Sequence, residues 1–203
     1  MRCRGMAISV VLSMLVLALA VPPGETLLFD IAVRATVHTW ASPPLTFVMR
    51  MITHMGEPAV LVLLTLAVAV LWSVEHRARA ARLLIFSTLG VVLLNEILKL
   101  VFHRPRPAAF FGYQEPSTYS FPSGHSVTSL CFYGVLAWIL AARLPSRRSR
   151  AVLYTVAGVL VLLIGFSRVY LGVHYLTDVI GGYALGVAWL VGVGKISSQH
   201  QKL

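Results

Sequence analysis

The 203-residue sequence has few cysteines, few acidic residues and little charge of any kind. Only 12% of the residues are charged and 58% are hydrophobic, and the mean hydropathy of +0.81 excludes an ordinary soluble globular domain. Cys3 precedes the first apolar run, and Cys131 lies inside the fourth. Neither a disulfide framework nor a thiol-ligated metal site is therefore expected.

The sequence also lacks a repeat of solenoid length and a low-complexity linker. It contains instead six apolar runs, each close to the roughly 20 residues that cross a bilayer. They cover residues 6–21, 58–74, 83–102, 126–142, 151–166 and 175–194. We therefore predict an all-α polytopic membrane protein, with six transmembrane helices in one bundle and a single membrane-embedded domain over residues 1–203.

The net charge of +10 could indicate a nucleic-acid partner, but the basic residues form short clusters between the apolar runs. Eleven of the 17 Lys and Arg residues fall on one side of a six-span topology, which the positive-inside rule assigns to the cytoplasm. Both termini are then cytoplasmic, and the bilayer, not nucleic acid, is the expected partner. The other six need a separate reason: Arg34, Arg50, Lys99, Arg104, Arg106 and Arg168.

Two segments near the amino terminus are open to two interpretations. Residues 1–20 predict a retained first span, with a cleaved signal peptide as the alternative. The segment 22–57 is expected to be a connector, with a lid or lipid-access element as the alternative. Its apolar stripe predicts a helix in the membrane interface and consists of Leu27, Leu28, Ile31, Val33 and Val37.

Three cations lie where the bilayer should exclude charge, at the predicted outer ends of the spans: Lys99, Arg106 and Arg168. Guanidinium groups hold phosphate oxygens through paired hydrogen bonds, so a phosphate is the expected counter-ion. Any one of these residues alone would more often snorkel or bind lipid headgroups, and it is their convergence that favours a phosphate site. Arg104 is a candidate support for this site.

Ser123, Gly124 and His125 stand where a loop becomes the fourth span. We predict that Ser123 caps this helix and that the amides of Gly124 and His125 face an anion. An ordinary junction between loop and helix is the alternative.

His174 and Asp178 are four residues apart at the predicted start of the sixth span, so they share a helix face. A hydrogen bond to Asp178 would orient the imidazole and make its other nitrogen a better nucleophile. A structural pair or a metal site are alternatives, although no third ligand falls at metal-binding spacing. Glu96 could pair with Lys99 one turn away, or pack against another helix.

These segments resemble the three-part signature of the type 2 phosphatidic acid phosphatase superfamily. The matching residues are Lys99-x6-Arg106-Pro107, Pro122-Ser-Gly-His125 and Ser167-Arg168-x5-His174-x3-Asp178, within segments 99–107, 122–125 and 167–178. The chain is similar to bacterial phosphatidylglycerophosphate or undecaprenyl pyrophosphate phosphatases. The resemblance implies six spans, with the signature at their outer ends.

The resemblance also implies a role for each residue. His174 attacks phosphorus to form a phosphohistidine, Asp178 holds its tautomer, and His125 protonates the leaving oxygen and then activates water. The transferring group is stabilised by Lys99, Arg106, Ser123, Gly124, His125 and Arg168. No metal or other cofactor is required.

The sequence thus predicts a metal-independent lipid phosphatase of the bacterial inner membrane, with its site facing the periplasm or cell exterior and no obligate protein partner. Undecaprenyl pyrophosphate and phosphatidylglycerophosphate are the leading substrates. A broad-specificity phosphatase for phosphatidic acid, diacylglycerol pyrophosphate or the lipid A phosphate is the alternative. The soluble vanadate haloperoxidases share the signature but not the spans, and an anion or lipid transporter would place its charges deeper in the helices.

Overall fold

The computed structural model describes residues 26–113 and 118–199 of the chain. All regular secondary structure within these two ranges is helical. The helices are α1 (Leu28–His38), α2 (Pro43–His54), α3 (Pro58–Val74), α4 (Ala78–Phe102), α5 (Gly124–Ala141), α6 (Arg147–Tyr170) and α7 (Leu176–Gln199). The predicted first span, 6–21, and the question of its retention lie outside the described residues.

Four helices are long and apolar enough to cross a membrane, namely α4, α5, α6 and the part of α7 up to Lys195. A fifth span forms if α2 and α3 are counted as one, since they pass the same test together despite a bend of 46°. Pro43 and Pro58 open these two helices at their first position, where proline's missing N–H is not needed. The described residues thus contain four to five candidate spans.

The helices extend beyond several of the predicted apolar runs. The run 58–74 coincides with α3, but α6 continues four residues past 166 and so includes Ser167 and Arg168. The predicted connection from Ser167 to His174 is therefore wrong at its start, because the turn occupies only residues 171–175. A cation is favourable in the last turn of a helix, where free carbonyls concentrate negative charge, so Arg168 need not end the helix.

The α5 helix lies in the middle of the bundle and packs against α4, α6 and α7. Its buried residues are mainly small or hydroxylated, which allows its neighbours to approach closely. Cys131 is buried in this helix, in a cluster with Val91, Val127 and Leu185. This packing fixes the first turn of α5, which carries the Ser-Gly-His segment, relative to the ends of the other three helices.

The α1 helix forms within the segment predicted as a connector, and the residues of its predicted apolar stripe divide between two environments. Leu28 and Ile31 are 84% and 50% exposed, whereas Val37 is buried and Val33 packs against the core. The inward face instead includes Asp30, which is completely buried. An acidic residue turned inward needs a partner, and the hydrophobic pattern alone could not identify one.

Candidate active site

The three signature segments meet at one end of the bundle, where α4 and α6 finish and α5 and α7 begin. We refer to this as the signature end. Lys99 lies in the last turn of α4, Arg168 in the last turn of α6, and Asp178 in the first turn of α7. Residues separated by up to 79 positions along the chain are thereby brought to one place.

His174 and Asp178 form the predicted pair, but His174 does not lie on a helix. The α7 helix begins at Leu176, so His174 belongs to the preceding turn. Its Nδ1 atom lies 3.2 Å from Oδ2 of Asp178, which also accepts a hydrogen bond of 2.9 Å from the Tyr175 amide. The same carboxylate oxygen of Asp178 therefore both caps the turn and orients the imidazole.

Gly172 shapes the turn that presents His174. Its φ of +75° lies in the left-handed region, and a Cβ there would come within 2.5 Å of the Phe110 ring. Both the conformation and the contact require glycine. The Phe110 amide also donates to the Leu171 carbonyl over 2.9 Å, so the loop after α4 holds this turn in place.

The second imidazole nitrogen of His174 faces a cation. Nε2 lies 3.1 Å from Nη1 of Arg106, which also donates to the Val173 carbonyl over 3.2 Å. Burial first, and then the charges of Arg106, Arg168 and Lys99, lower the pKa of His174 well below its usual range. The imidazole is therefore neutral at physiological pH, with Nδ1–H assigned toward Asp178 and a lone pair on Nε2.

Arg106 is held by the loop that precedes α5. Its Nε donates to the Thr118 carbonyl over 2.6 Å, and its Nη2 donates to the Thr118 hydroxyl over 3.0 Å. These contacts fix the plane of the guanidinium beside His174. Thr118 was not predicted as a site residue, because no local pattern links it to Arg106.

Lys99 pairs with Glu96, one of the two interpretations that the sequence left open. The Nζ–Oε1 distance is 2.8 Å, and the lysine side chain is only 9% exposed, compared with 51% for the glutamate. A Cβ on Gly124 would lie 3.3 Å from the Asn95 amide nitrogen and 3.8 Å from Nζ of Lys99. Glycine at this position thus lets the start of α5 approach the end of α4.

Ser123 does not cap α5 with its side chain, contrary to the prediction. Its hydroxyl instead accepts a hydrogen bond of 3.1 Å from Ser126, and its amide donates to the Asp178 carbonyl over 3.0 Å. Ser123 therefore joins the first turn of α5 to that of α7. The amides of Gly124 and His125 lie in the first turn, where helices offer N–H groups to anions.

His125 is partly exposed on the first turn of α5. It interacts electrostatically with His174 and with three cations, which are Lys99, Arg106 and Arg168. The predicted second histidine thus shares the same cluster as the predicted nucleophile.

Arg168 is buried at 2% exposure and is held from two sides. Its Nη1 donates to the Thr53 hydroxyl over 2.8 Å and to the Tyr113 hydroxyl over 3.3 Å. Thr53 lies on α2, within the segment predicted as a plain connector. That segment therefore contributes to the site, and its role could not be read from the signature.

Three of the arginines predicted to lie on the outer side make structural contacts. Arg34 donates to the Ala108 carbonyl, and Arg50 donates to the Phe111 carbonyl over 2.7 Å, so both hold the loop after α4. Arg104 directs its terminal nitrogens toward Asp30, Thr177 and Asp178. Arg104, which was expected to support a phosphate, thus pairs with two carboxylates instead.

A groove of about 420 Å³ opens beside α2 and the loop after α4. Its lining includes Thr46, Arg50 and Phe111 but no residue of the signature. No cluster of three or more His, Cys, Asp or Glu residues able to hold a metal occurs within residues 26–113 and 118–199.

Comparison with known proteins gives consistent matches. The model of the PAP2 superfamily matches residues 80–202. Phosphatidylglycerophosphatase B of Bacillus subtilis is 37% identical over 182 residues, which are 89% of each chain. The undecaprenyl-diphosphatase of Sulfolobus acidocaldarius is 33% identical over 112 residues, which are 53% of this chain and 50% of that protein.

The fold agrees with the same relationship. The crystal structure of a transmembrane PAP2 type phosphatidylglycerolphosphate phosphatase from Bacillus subtilis superposes with a TM-score of 0.84 at 34% identity. The match covers 95% of this chain and 96% of that one. The chain therefore belongs to the PAP2 superfamily.

Proposed function

We propose that this chain is an integral membrane phosphatase that hydrolyses a lipid phosphate or lipid diphosphate, with His174 as the nucleophile. The arrangement of the His174 ring carries the proposal. Nδ1 faces the Asp178 carboxylate and Nε2 faces Arg106. Because Asp178 keeps the proton on Nδ1, the lone pair of Nε2 is directed at the Arg106 guanidinium, and a phosphate bound by Arg106 would replace this contact and bring phosphorus to Nε2.

In the first half of the reaction, Nε2 of His174 attacks phosphorus and the bond from phosphorus to the leaving oxygen breaks. His125 gives its proton to that oxygen, so the lipid leaves as an alcohol, or as a lipid monophosphate when the substrate is a diphosphate. The phosphoryl group remains on Nε2 as a phosphohistidine. Asp178 stabilises the positive charge that develops on the imidazole.

In the second half, the neutral His125 accepts a proton from water, and the resulting hydroxide attacks phosphorus. The bond between phosphorus and nitrogen breaks, inorganic phosphate leaves, and the lone pair returns to His174. Both histidines finish in their starting states, so each turnover consumes one water molecule.

The remaining signature residues stabilise the transferring group. Lys99, Arg106 and Arg168 supply positive charge from three separate segments, and the Ser123–His125 turn supplies backbone amides. Cations and amides aimed at the equatorial oxygens act most strongly when charge spreads in the transition state. Lys99 contacts Glu96 through one of its three N–H donors, so the other two can donate to phosphate oxygens when substrate binds.

We further propose that the whole chain acts as one membrane domain of six spans, with the retained segment 6–21 as the first and the signature end facing the periplasm or cell exterior. The basic inner loops support this orientation. In a cysteine-free background, a membrane-impermeant maleimide should label Ala41→Cys but not Arg148→Cys in intact spheroplasts. The reverse labelling would refute the orientation.

The similarity to phosphatidylglycerophosphatase B and to an undecaprenyl-diphosphatase supports phosphatidylglycerophosphate and undecaprenyl pyrophosphate as the leading substrates. Phosphatidic acid and diacylglycerol pyrophosphate remain the alternative, since the cations recognise the phosphate group that all four lipids share. No obligate protein partner and no metal are included in the proposal.

The test is phosphate release by the purified protein from undecaprenyl pyrophosphate, phosphatidylglycerophosphate and phosphatidic acid in detergent. His174→Ala should lose at least about a thousandfold in kcat, since it removes the nucleophile. His54→Ala is the matched control, because His54 is an exposed histidine outside the signature. A near-wild-type rate for His174→Ala on any of the lipids would overturn the assignment, and no turnover by the wild type would favour the transporter alternative.

A further inference from the structure

Asp30 is a buried acidic residue that lies outside the signature. It lies on α1 and has no exposed surface, and it is the acidic residue of that helix. A buried carboxylate is costly unless it is paired and hydrogen-bonded. Its partners therefore show why an acidic residue faces inward at this position.

All partners of Asp30 come from segments that carry the site. Oδ1 accepts from the Thr177 amide over 3.1 Å, and Oδ2 accepts from the Thr177 hydroxyl over 2.6 Å. Oδ2 also accepts from Nη2 of Arg104 over 2.8 Å. Asp30 thus binds the residue that precedes Asp178 and the arginine that contacts Asp178.

Arg104 connects the two carboxylates. Its Nη1 lies 2.5 Å from Oδ1 of Asp178, and its guanidinium stacks 4.3 Å from the centre of the Tyr175 ring. Asp178 then accepts from Arg104 on one oxygen and from His174 and the Tyr175 amide on the other. One guanidinium, itself 2% exposed, is shared by two fully buried carboxylates.

The sharing of Arg104 affects how much negative charge the Asp178 carboxylate presents to His174. Arg104 alone would neutralise Asp178 and weaken it as an acceptor for the Nδ1 proton of His174. With Asp30 on its other side and both carboxylates ionised, the three groups carry one net negative charge. The carboxylate of Asp178 can then both accept the Arg104 hydrogen bond and support a developing positive charge on His174.

We propose that Asp30 is a positioning residue for the reaction, which acts through Arg104 on Asp178 and so tunes and orients His174. The inference rests on the proposed function of His174. It makes α1, a helix outside the signature, part of the catalytic apparatus, and it assigns to Arg104 a role different from phosphate binding.

Charged or titratable groups surround His174 from several elements. They include Asp178 on α7, Tyr175 in the turn before it, Arg106 and Arg104 in the loop after α4, Lys99 on α4, His125 on α5 and Arg168 on α6. Substitutions at Asp30 and Arg104 change the charge in steps of one without touching the groups proposed to contact phosphate. Effects of charge can thus be separated from effects of packing.

We would purify Asp30→Asn, Arg104→Gln and the double variant Asp30→Asn/Arg104→Gln, and measure kcat, KM and the pH profile of kcat/KM on one lipid phosphate. Glu75→Gln is the matched control, since Glu75 also pairs with an arginine, Arg77, at 3.2 Å but lies in the turn between α3 and α4. Thermal unfolding in detergent confirms that each variant is folded.

Asp30→Asn should lower kcat by about tenfold or more with little change in KM, because the residue acts on the nucleophile and not on binding. The acid limb of its pH profile, where kcat/KM falls as His174 becomes protonated, should move to lower pH by at least about half a unit. The reason is that losing a negative charge disfavours the imidazolium. Arg104→Gln should move the limb to higher pH. The double variant, which restores the net charge, should return close to the wild-type limb.

A purely structural role predicts a different outcome. Loosening α1 would hydrate His174 and move the acid limb of Asp30→Asn upward or leave it in place, and either result overturns the inference. A kcat within twofold of wild type for Asp30→Asn also overturns it. If Asp30→Asn does not fold, the upward shift expected for Arg104→Gln and its reversal in the double variant decide the question. An inactive wild type would instead overturn the proposed function.

Discussion

Gly182 on α7 lies against the first turn of α5, and its replacement by alanine tests whether the site depends on the spacing of these helices. A Cβ at this position would lie 2.8 Å from the Ser123 carbonyl oxygen and 2.9 Å from Cβ of Ser126. The Ser123 contact involves backbone, so no rotation of a flexible side chain can relieve it. Restoring ordinary contact requires α5 and α7 to separate by about 0.6 to 1 Å.

That displacement would act directly on the catalytic geometry. The first turn of α5 carries His125, and α7 carries Asp178, so moving the two helices apart changes the distance between the proposed acid and the oriented nucleophile. A misplacement of about 1 Å costs up to roughly a hundredfold in rate. We expect Gly182→Ala to lower kcat by about tenfold to a hundredfold and the free energy of unfolding by about 1 to 3 kcal/mol.

The assay is steady-state phosphate release at saturating lipid, with thermal unfolding measured in the same detergent. Gly192→Ala on the same helix is the matched control, because a Cβ there meets nothing within 4 Å. Its kcat should equal that of the wild type. Retention of half or more of the wild-type kcat by Gly182→Ala would show that the helix spacing does not control the reaction.

Three further predictions concern the chemistry. The lowered pKa of His174 keeps its Nε2 unprotonated, so kcat/KM should stay constant as the pH falls through the usual histidine pKa of about 6.5 and decline only at lower pH. A decline of kcat/KM that begins at or above about pH 6.5 would contradict a neutral nucleophile. Arg168→Lys should reduce kcat/KM roughly tenfold to a hundredfold, because lysine lacks the forked N–H donors with which a guanidinium can bind Thr53 and a phosphate together. Arg147→Lys, at an exposed position, is the control and should leave kcat/KM unchanged. Treatment with EDTA should leave turnover intact, and strict dependence on an added divalent ion would refute a metal-independent reaction.

The contacts divide the six cations that were predicted to lie on the outer side into two groups. In the six-span topology these residues would break the positive-inside rule. Arg34 and Arg50 hold carbonyls of the loop after α4, and Arg104 joins two carboxylates. Only Lys99, Arg106 and Arg168 remain as proposed phosphate ligands. Guanidinium groups suit both tasks, so residue type alone could not separate them.

The sequence by itself determined the helical class, the position of α3 and α5, and the signature residues that meet at one end of the bundle. These features are local: apolar runs of membrane length specify helices, and the spacing of the signature residues places each on or beside a helix end. The turn from Leu171 to Tyr175 was less well predicted, because α6 continues through Ser167 and Arg168 to Tyr170 and α7 begins only at Leu176, after His174.

Only the tertiary structure decided which distant groups complete the site. Asp30 reaches Thr177 across 147 residues, and Thr53 reaches Arg168 across 115. The hydrophobic pattern of α1 predicted its helix but not the inward position of Asp30, because that position depends on the pairing of a buried carboxylate with Arg104. Such pairings depend on how whole helices pack, and no local pattern of residues encodes them.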